Sequence, residues 1–349
     1  METVELRPGY RISRVIRGGW QLAGGHGAID RVTAVDDFIA AFDAGLTTFD
    51  CADIYTGVEE LYGDVRAKLR ATRGEAEAAR LHVHTKLVPD LDILPRIRRA
   101  DVEAIVDTSL RRLRMDRLDL VQFHWWDYAH PGWIDVFHWL AELRRAGKIR
   151  HVAGTNFDTE HVSAVLAAGI PLVALQVQYS ALDHRPSRSL ADLCLRHDVR
   201  LLCYGSVAGG FLSDRWLGRR EPAAPFENRS LVKYKLIIDD FGGWDLFQQL
   251  LRALRAVADR HGADIATVAS RLVLERPGVA AVIVGARNGS HVEANAAISA
   301  LNLAAEDLAE IEAVLAQREG PEGDVYALER DRTGRHGSIM KYNLNTGVA

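Results

Sequence analysis

The sequence predicts an α/β protein in which eight parallel strands alternate with helices and close into a (β/α)8 TIM barrel. Two observations predict this fold. Short apolar segments alternate with amphipathic segments along most of the 349-residue chain, and about eight such pairs can be placed between residues 9 and 317. Repeated strand–helix units require a parallel sheet, because neighbouring parallel strands need a crossover connection. Eight units favour a closed barrel over an open, doubly wound sheet.

The predicted strands are short and rich in Val, Ile, Leu and Thr, as expected for strands that are covered on both faces. The first strand is expected to end within Gly18–Leu22. The other seven are Leu46–Phe49, Leu81–Thr85, Leu118–Phe123, His151–Ala153, Val173–Val177, Leu201–Tyr204 and Val279–Val284.

The predicted helices lie between these strands, and several of them end at a glycine. They are Val32–Ala44, Ala100–Leu113, Ile134–Ala146, Thr159–Ala168, Ser189–His197 and Asp264–Glu275. The alternation stops after the seventh strand, where Ser206–Gly243 lacks a clear period. Loops of this length are usually functional.

The C-terminal tail, residues 318–349, also lacks a helical period and is rich in charge. The sequence leaves two alternatives for it: a disordered end, or a segment that wraps over the barrel mouth. No linker or internal repeat divides the chain. We therefore expect a single domain over residues 1–349, with a barrel core at about residues 9–317.

Composition narrows the classes of function. The 43 Lys and Arg residues against 47 Asp and Glu residues give a net charge of −4, which argues against nucleic acid or an anionic membrane as partner. No segment has the apolar length of a signal peptide or a membrane span, so a cytoplasmic protein is expected. The three cysteines lack metal-ligand spacing, and no metal is expected. Gly24–Gly27 lacks the spacing of a Rossmann nucleotide site.

Polar residues follow the predicted strands at the end of the barrel that carries chemistry in this fold. Asp50, Lys86 and His124 follow three successive strands, and Tyr55 lies close to the first of them. A neighbouring ammonium lowers the pKa of a phenol, which brings proton transfer from Tyr55 closer to neutral pH. The carboxylate would hold Lys86 charged, and His124 could orient a carbonyl oxygen or relay a proton. These four groups suit the reduction of a carbonyl by hydride transfer.

Several segments, in this order, resemble the aldo-keto reductase family over residues 9–317. They are FDCADIYTGVEELYG at Phe49–Gly63, LHVHTK, DLVQFHWWD, GKIRHVAGTNF at Gly147–Phe157, ALQVQYSALDHRP, CYGSVAGGFLSDRWLG and VIVGARNGSHVEAN. The resemblance implies that Asp50, Tyr55, Lys86 and His124 are the catalytic residues, with Tyr55 as the general acid or base. It also implies a nicotinamide cofactor, with NADP(H) favoured and NAD(H) possible.

The resemblance also assigns the binding residues. The cofactor would contact Trp20, with Thr155, Asn156 and Gln176 at the carboxamide and Tyr204 stacked on the nicotinamide. The remaining expected cofactor contacts are Ser206, Val207, Gly209, Gly210 and Leu212 along the pyrophosphate and Gly285, Ala286, Arg287, His291 and Asn295 around the adenosine. The expected substrate contacts are Trp20, Tyr55, His124, Trp125 and Trp126.

The resemblance implies an NAD(P)H-dependent aldehyde or ketone reductase, or an alcohol or sugar dehydrogenase, acting on a small molecule. The preference for NADP(H) rests mainly on Arg287. Two alternatives remain open: a cofactor-sensing subunit without catalysis, and a lyase or dehydratase that reuses the same site without net redox change. The substrate and the oligomeric state do not follow from the sequence.

Overall fold

The computed structural model of the chain describes residues 1–23, 30–285 and 289–345. The glycine-rich segment 24–27 and the last four residues of the tail lie outside this part. Eight parallel strands form a closed barrel in chain order, and the last strand pairs with the first. The barrel strands are β3 Val15–Gly18, β4 Thr48–Asp50, β5 His82–Leu87, β6 Leu118–Phe123, β7 Ile149–Thr155, β8 Leu172–Gln178, β9 Arg200–Tyr204 and β10 Val279–Gly285. The predicted fold is confirmed.

Helices surround the barrel. Within the described residues they are α1 Arg31–Asp43, α2 Val58–Arg73, α3 Glu75–Ala78, α4 Arg99–Leu113, α5 Trp133–Arg145, α6 Thr159–Ala167, α7 Ser189–Arg196, α8 Arg229–Phe241, α9 Gly243–His261, α10 Ile265–Leu274, α11 Val292–Ala300, α12 Ala305–Leu315 and α13 Ala327–Arg330. The six predicted helices are all present, each within a residue of its predicted bounds. None of the helices in the described ranges has the length and apolar character needed to cross a bilayer.

One sequence prediction is confirmed and one is wrong in detail. The first barrel strand ends at Gly18, inside the predicted range, and Trp20–Leu22 after it forms a turn of 3-10 helix. The second half of Ser206–Gly243 is the helix α8 and not loop. Its buried residues recur at helical spacing, but two lysines flank Tyr234 and the apolar Val232 and Leu236 fall outside the buried set, which obscures the period in the sequence. The buried residues are Leu231, Tyr234, Ile237, Ile238 and Phe241.

An antiparallel hairpin, β1 (Thr3–Arg7) and β2 (Tyr10–Ser13), precedes the barrel. The sequence analysis did not predict it. The Tyr10 hydroxyl lies 3.0 Å from Nε2 of His84 inside the barrel. Apolar side chains from most of the barrel strands fill the interior together with the hairpin. Because the hairpin packs against the barrel interior at the end where its strands begin, ligands must enter at the carboxyl ends of the strands.

The C-terminal tail crosses the barrel mouth as far as it is described. Ile339 O accepts a hydrogen bond from the Arg229 guanidinium, and the Tyr342 ring lies 5.3 Å from the Trp126 ring. Further along, the backbone N–H groups of residues 344 and 345 donate to Asp90 Oδ1. The structure therefore selects the second of the two alternatives that the sequence left open for the tail, through residue 345.

Candidate active site

A cavity of about 660 Å³ opens at the carboxyl end of the barrel. Each barrel strand contributes a lining residue at or close to its carboxyl end: Gly18, Asp50, Lys86, His124, Thr155, Gln176, Tyr204 and Gly285. The closed sheet explains this convergence, since all eight strands end around one opening. The four predicted catalytic residues thus lie around a single cavity.

A buried ion pair lies at the base of this cavity. Lys86 Nζ donates to Asp50 Oδ2 at 2.6 Å and to Cys51 O at 2.8 Å. Burial alone lowers the pKa of an ammonium, but the Asp50 carboxylate opposes it and raises the pKa of Lys86 above its ordinary value. Lys86 is therefore a permanent cation near neutral pH.

Two glutamines fix the second oxygen of Asp50. Gln122 Nε2 donates to Asp50 Oδ1 at 2.9 Å, and Gln176 Nε2 donates to the same oxygen at 2.7 Å. Gln176 Nε2 also lies 2.8 Å from Gln122 Oε1. The sequence analysis missed Gln122, although its position two residues before His124 on β6 places both side chains on one face of the strand. With its amide nitrogen engaged, Gln176 has its carbonyl oxygen to offer a ligand.

Tyr55 lies beside the Lys86 ammonium, whose nitrogen is 5.0 Å from the ring centre. Its pKa corrects a sequence expectation. Burial raises the pKa of Tyr55 above the ordinary value and outweighs the lowering effect of Lys86, while Asp50 raises it further. The phenol is therefore protonated near neutral pH, which is the form that a general acid requires. Lys86 lies where it would stabilise the phenolate left after proton transfer.

The His124 ring is neutral and has a defined tautomer. Burial, with a contribution from the Arg330 guanidinium, lowers the pKa of His124 to about 3. Nδ1 lies 3.2 Å from Thr155 O, and a carbonyl oxygen can only accept, so Nδ1 carries the proton. Nε2 is then an acceptor, and it is buried without a hydrogen-bond partner among the described residues. An unpaired acceptor of this kind suits the hydroxyl group of a ligand.

The residues expected around a nicotinamide lie together. The Tyr204 hydroxyl donates to Asn156 Oδ1 at 2.9 Å, which leaves the amide nitrogen of Asn156 as a donor for a ligand. A Cβ atom added to Gly205 would lie 2.3 Å from the Tyr234 hydroxyl. The backbone after β9 can therefore approach Tyr234 only because it carries a glycine there. The amide groups, the Tyr204 ring and the close backbone fit a flat, amide-bearing ligand such as nicotinamide.

The other predicted cofactor contacts are placed as follows. Lining the cavity are Trp20, Val207, Gly209, Gly210, Leu212, His291 and Asn295. Ser206 does not line it as far as the chain is described: its hydroxyl lies 3.0 Å from the Ser270 hydroxyl and is buried. Ala286 and Arg287 lie outside the described residues.

Aromatic side chains form the wall next to the catalytic groups. The Trp126 ring meets the His124 ring edge-on at 4.3 Å, and the Trp20 ring lies 5.2 Å from the Tyr55 ring. Tyr326, from the tail, meets His124 edge-on at 5.4 Å. Trp125 is placed elsewhere: it is 0% exposed, and its indole N–H donates to the backbone oxygens of residues 127 and 130. We therefore leave Trp125 out of the substrate wall.

Cations that the sequence analysis did not single out also line the cavity: Arg215, Arg229, Lys233 and Lys341. Three of them belong to the segment between β9 and α9. The signal that could have identified Arg229 and Lys233 is the helical period of α8, which places its charged residues relative to its buried face. Positive charge along the cavity suits an anionic ligand such as a dinucleotide.

Comparison with known proteins matches one family over most of the chain. The family described as "Aldo/keto reductase family" matches residues 14–316. The aldo-keto reductase YhdN of Bacillus subtilis is 27% identical over 317 residues, which cover 88% of this chain and 91% of that protein.

Two solved structures share the fold at 24% identity. The glycerol dehydrogenase of Gluconobacter oxydans superposes with a TM-score of 0.77, covering 92% of this chain and 97% of that one. An aldo-keto reductase of Klebsiella pneumoniae in complex with NADPH superposes with a TM-score of 0.69, covering 93% and 99%.

Proposed function

Because the chain belongs to the aldo/keto reductase family, it is an oxidoreductase of carbonyl or alcohol groups, and we propose that it reduces aldehydes or ketones with NADPH, using Tyr55 as the general acid. One observation carries this proposal. The Asp50–Lys86 pair, the protonated phenol of Tyr55 and the unpaired Nε2 of His124 lie around one cavity.

The chemistry of this chain's residues follows from their protonation states. When bound, a reduced nicotinamide supplies the hydride that the carbonyl carbon accepts. Tyr55 donates its hydroxyl proton to the carbonyl oxygen, and Lys86 stabilises the resulting phenolate. Asp50 keeps Lys86 charged and in position. His124 Nε2, as an acceptor, would accept a hydrogen bond from the hydroxyl of the alcohol product and so orient that hydroxyl.

NADP(H) is the favoured cofactor in this proposal, with NAD(H) as the alternative. Two arginines that line the cavity, Arg215 and Arg229, support an anionic dinucleotide, and the Klebsiella pneumoniae reductase of the same fold holds NADPH. Fluorescence titration with NADPH and NADH compares the two directly. We expect tighter binding of NADPH.

The test of the general acid is the variant Tyr55→Phe. It removes one hydroxyl and should lower kcat for an aldehyde by at least about 100-fold while NADPH affinity changes little. The matched control is Tyr128→Phe, since Tyr128 stacks on His161 away from the cavity and should retain activity. Retained turnover in Tyr55→Phe would refute the assigned acid.

A further inference from the structure

The tail beyond the family match contributes an acid to a buried ionic cluster. Arg185 makes two hydrogen bonds to Glu329, both at 3.0 Å, and it also bonds Asp183 through Nε at 3.0 Å and through a terminal nitrogen at 2.8 Å. All three side chains are at most 1% exposed. Two acids thus share one guanidinium, which leaves a single negative charge to be compensated.

The positive charge of Lys233 compensates this negative charge without a direct hydrogen bond. Its Nζ lies 3.8 Å from Glu329 Oε1, which is longer than a hydrogen bond. Three tyrosine rings surround the ammonium, with ring centres 5.3 Å away for Tyr204 and 5.7 Å away for Tyr234 and Tyr326. Rings attract the charge but accept no strong hydrogen bond. The ammonium therefore keeps proton donors for a ligand.

Lys233 lies at the catalytic end of the cavity. It lines the cavity itself, and the Tyr326 ring lies within 6 Å of both the Lys233 nitrogen and the His124 ring, at 5.7 Å and 5.4 Å. Tyr326 has a φ of +62°, an uncommon conformation for a bulky residue. The tail thus holds Tyr326 in a costly position between the proton-transfer group and the ammonium.

We infer that Lys233 binds a carboxylate group carried by the carbonyl substrate, an inference that rests on the proposed function. A carboxylate accepts directly from an ammonium, and such a hydrogen bond between two charged groups is short and strong. Burial lowers the pKa of Lys233 while Glu329 raises it, and a second anion would offset the remaining cost of burial. One ammonium beside an acid offers too little positive charge for a phosphate dianion. The proposed substrate class is therefore an aldehyde or ketone with a carboxylate.

The test compares 3- and 4-carboxybenzaldehyde with benzaldehyde and with methyl 4-formylbenzoate, which has a similar shape and no charge. We expect the unaltered enzyme to prefer a carboxylated aldehyde in kcat/KM by about tenfold or more. Lys233→Met should abolish the preference by raising KM for the carboxylated aldehydes alone, and Lys233→Arg should restore part of it. Displacement of benzoate from the NADPH complex gives a second readout that needs no turnover.

Lys235→Met is the matched control, because Lys235 lies on the same helix as Lys233, pairs with Glu221 and Asp239, and is not among the described residues that line the cavity. It should keep the preference. The inference is overturned by equal kcat/KM for charged and neutral aldehydes, by a preference that survives in Lys233→Met, or by an equal loss for both classes together with a lowered Tm. Failure to reduce any of the aldehydes with either cofactor would instead contradict the proposed function itself.

Discussion

Glu329→Gln tests whether the buried ionic cluster fastens the tail to the barrel. The substitution removes one negative charge and leaves the shape of the side chain almost unchanged. Glu329 accepts two hydrogen bonds from Arg185 at 3.0 Å and is 1% exposed. Arg185 and Lys233 outweigh the effect of burial and lower the pKa of Glu329 from an ordinary 4.5 to about 2.

The lowered pKa of Glu329 indicates that the substitution lowers the free energy of unfolding. Removal of one partner of a buried ion pair costs about 3 kcal/mol or more, and the lowered pKa of Glu329 agrees with a loss in this direction at pH 7. Because the folded-state pKa lies below the unfolded one, the stabilisation is complete above pH 4.5. It is lost as the pH falls from 4.5 towards 2. The variant should lack this part of the acid sensitivity.

The assay is urea unfolding at pH 7 and pH 4, combined with hydrogen exchange of the amides in residues 318–345. We expect a lower unfolding free energy at pH 7 and faster exchange in the tail. The control is Glu75→Gln, which removes an exposed ion pair with Arg70 and should change neither quantity measurably. If Glu329→Gln and Glu75→Gln unfold and exchange alike, the cluster does not fasten the tail.

Two further predictions concern the backbone after β9 and the barrel interior. Gly205→Ala should cost about 2–3 kcal/mol and weaken NADPH binding, because φ is +76° and the added methyl group would lie 2.3 Å from a tyrosine hydroxyl. Gly218→Ala, at φ +70° with nothing within 4 Å and apart from the described cavity lining, should cost only about 1 kcal/mol and leave NADPH binding unchanged, so equal effects in denaturation and titration would contradict this reasoning. Burial lowers the pKa of His84 to about 3, so the unfolded chain takes up a proton first as the pH falls below 6.5. His84 alone should then account for about 2 kcal/mol of the fall in unfolding free energy between pH 7 and pH 5, and in His84→Asn the fall should be smaller by this amount.

The helix α8 shows a limit of predicting secondary structure from local sequence patterns. Its buried residues Leu231, Tyr234, Ile238 and Phe241 follow the helical period, yet the segment is taken for a loop because lysines flank Tyr234 and apolar residues also fall outside the buried set. The six helices that were predicted lie within a residue of their predicted bounds, and three of them are followed by a glycine. A helix is easy to recognise from the spacing of its apolar residues when all residues on its opposite face are polar. It is hard to recognise when residues that face a cavity occupy the opposite face.

The pKa of Tyr55 shows a second limit. The sequence indicates that Tyr55 and Lys86 are neighbours, from which a lowered pKa follows for a phenol in water. The tertiary structure buries the phenol, and desolvation reverses the direction. The burial of a side chain depends on all the residues packed around it, including those of the tail. It therefore cannot be predicted from the spacing of residues in the local sequence.

By itself the sequence determined the alternation of strands and helices, and with it the convergence of Asp50, Lys86 and His124. A closed parallel barrel brings the ends of all strands to one opening whatever its loops do. Only the tertiary structure decided how the tail runs, which places Glu329 against Arg185 and Lys233 among three tyrosines. The physical reason is separation along the chain: Arg185 and Glu329 are 144 positions apart, and contacts over such distances follow from the packed path of the chain and not from its local pattern.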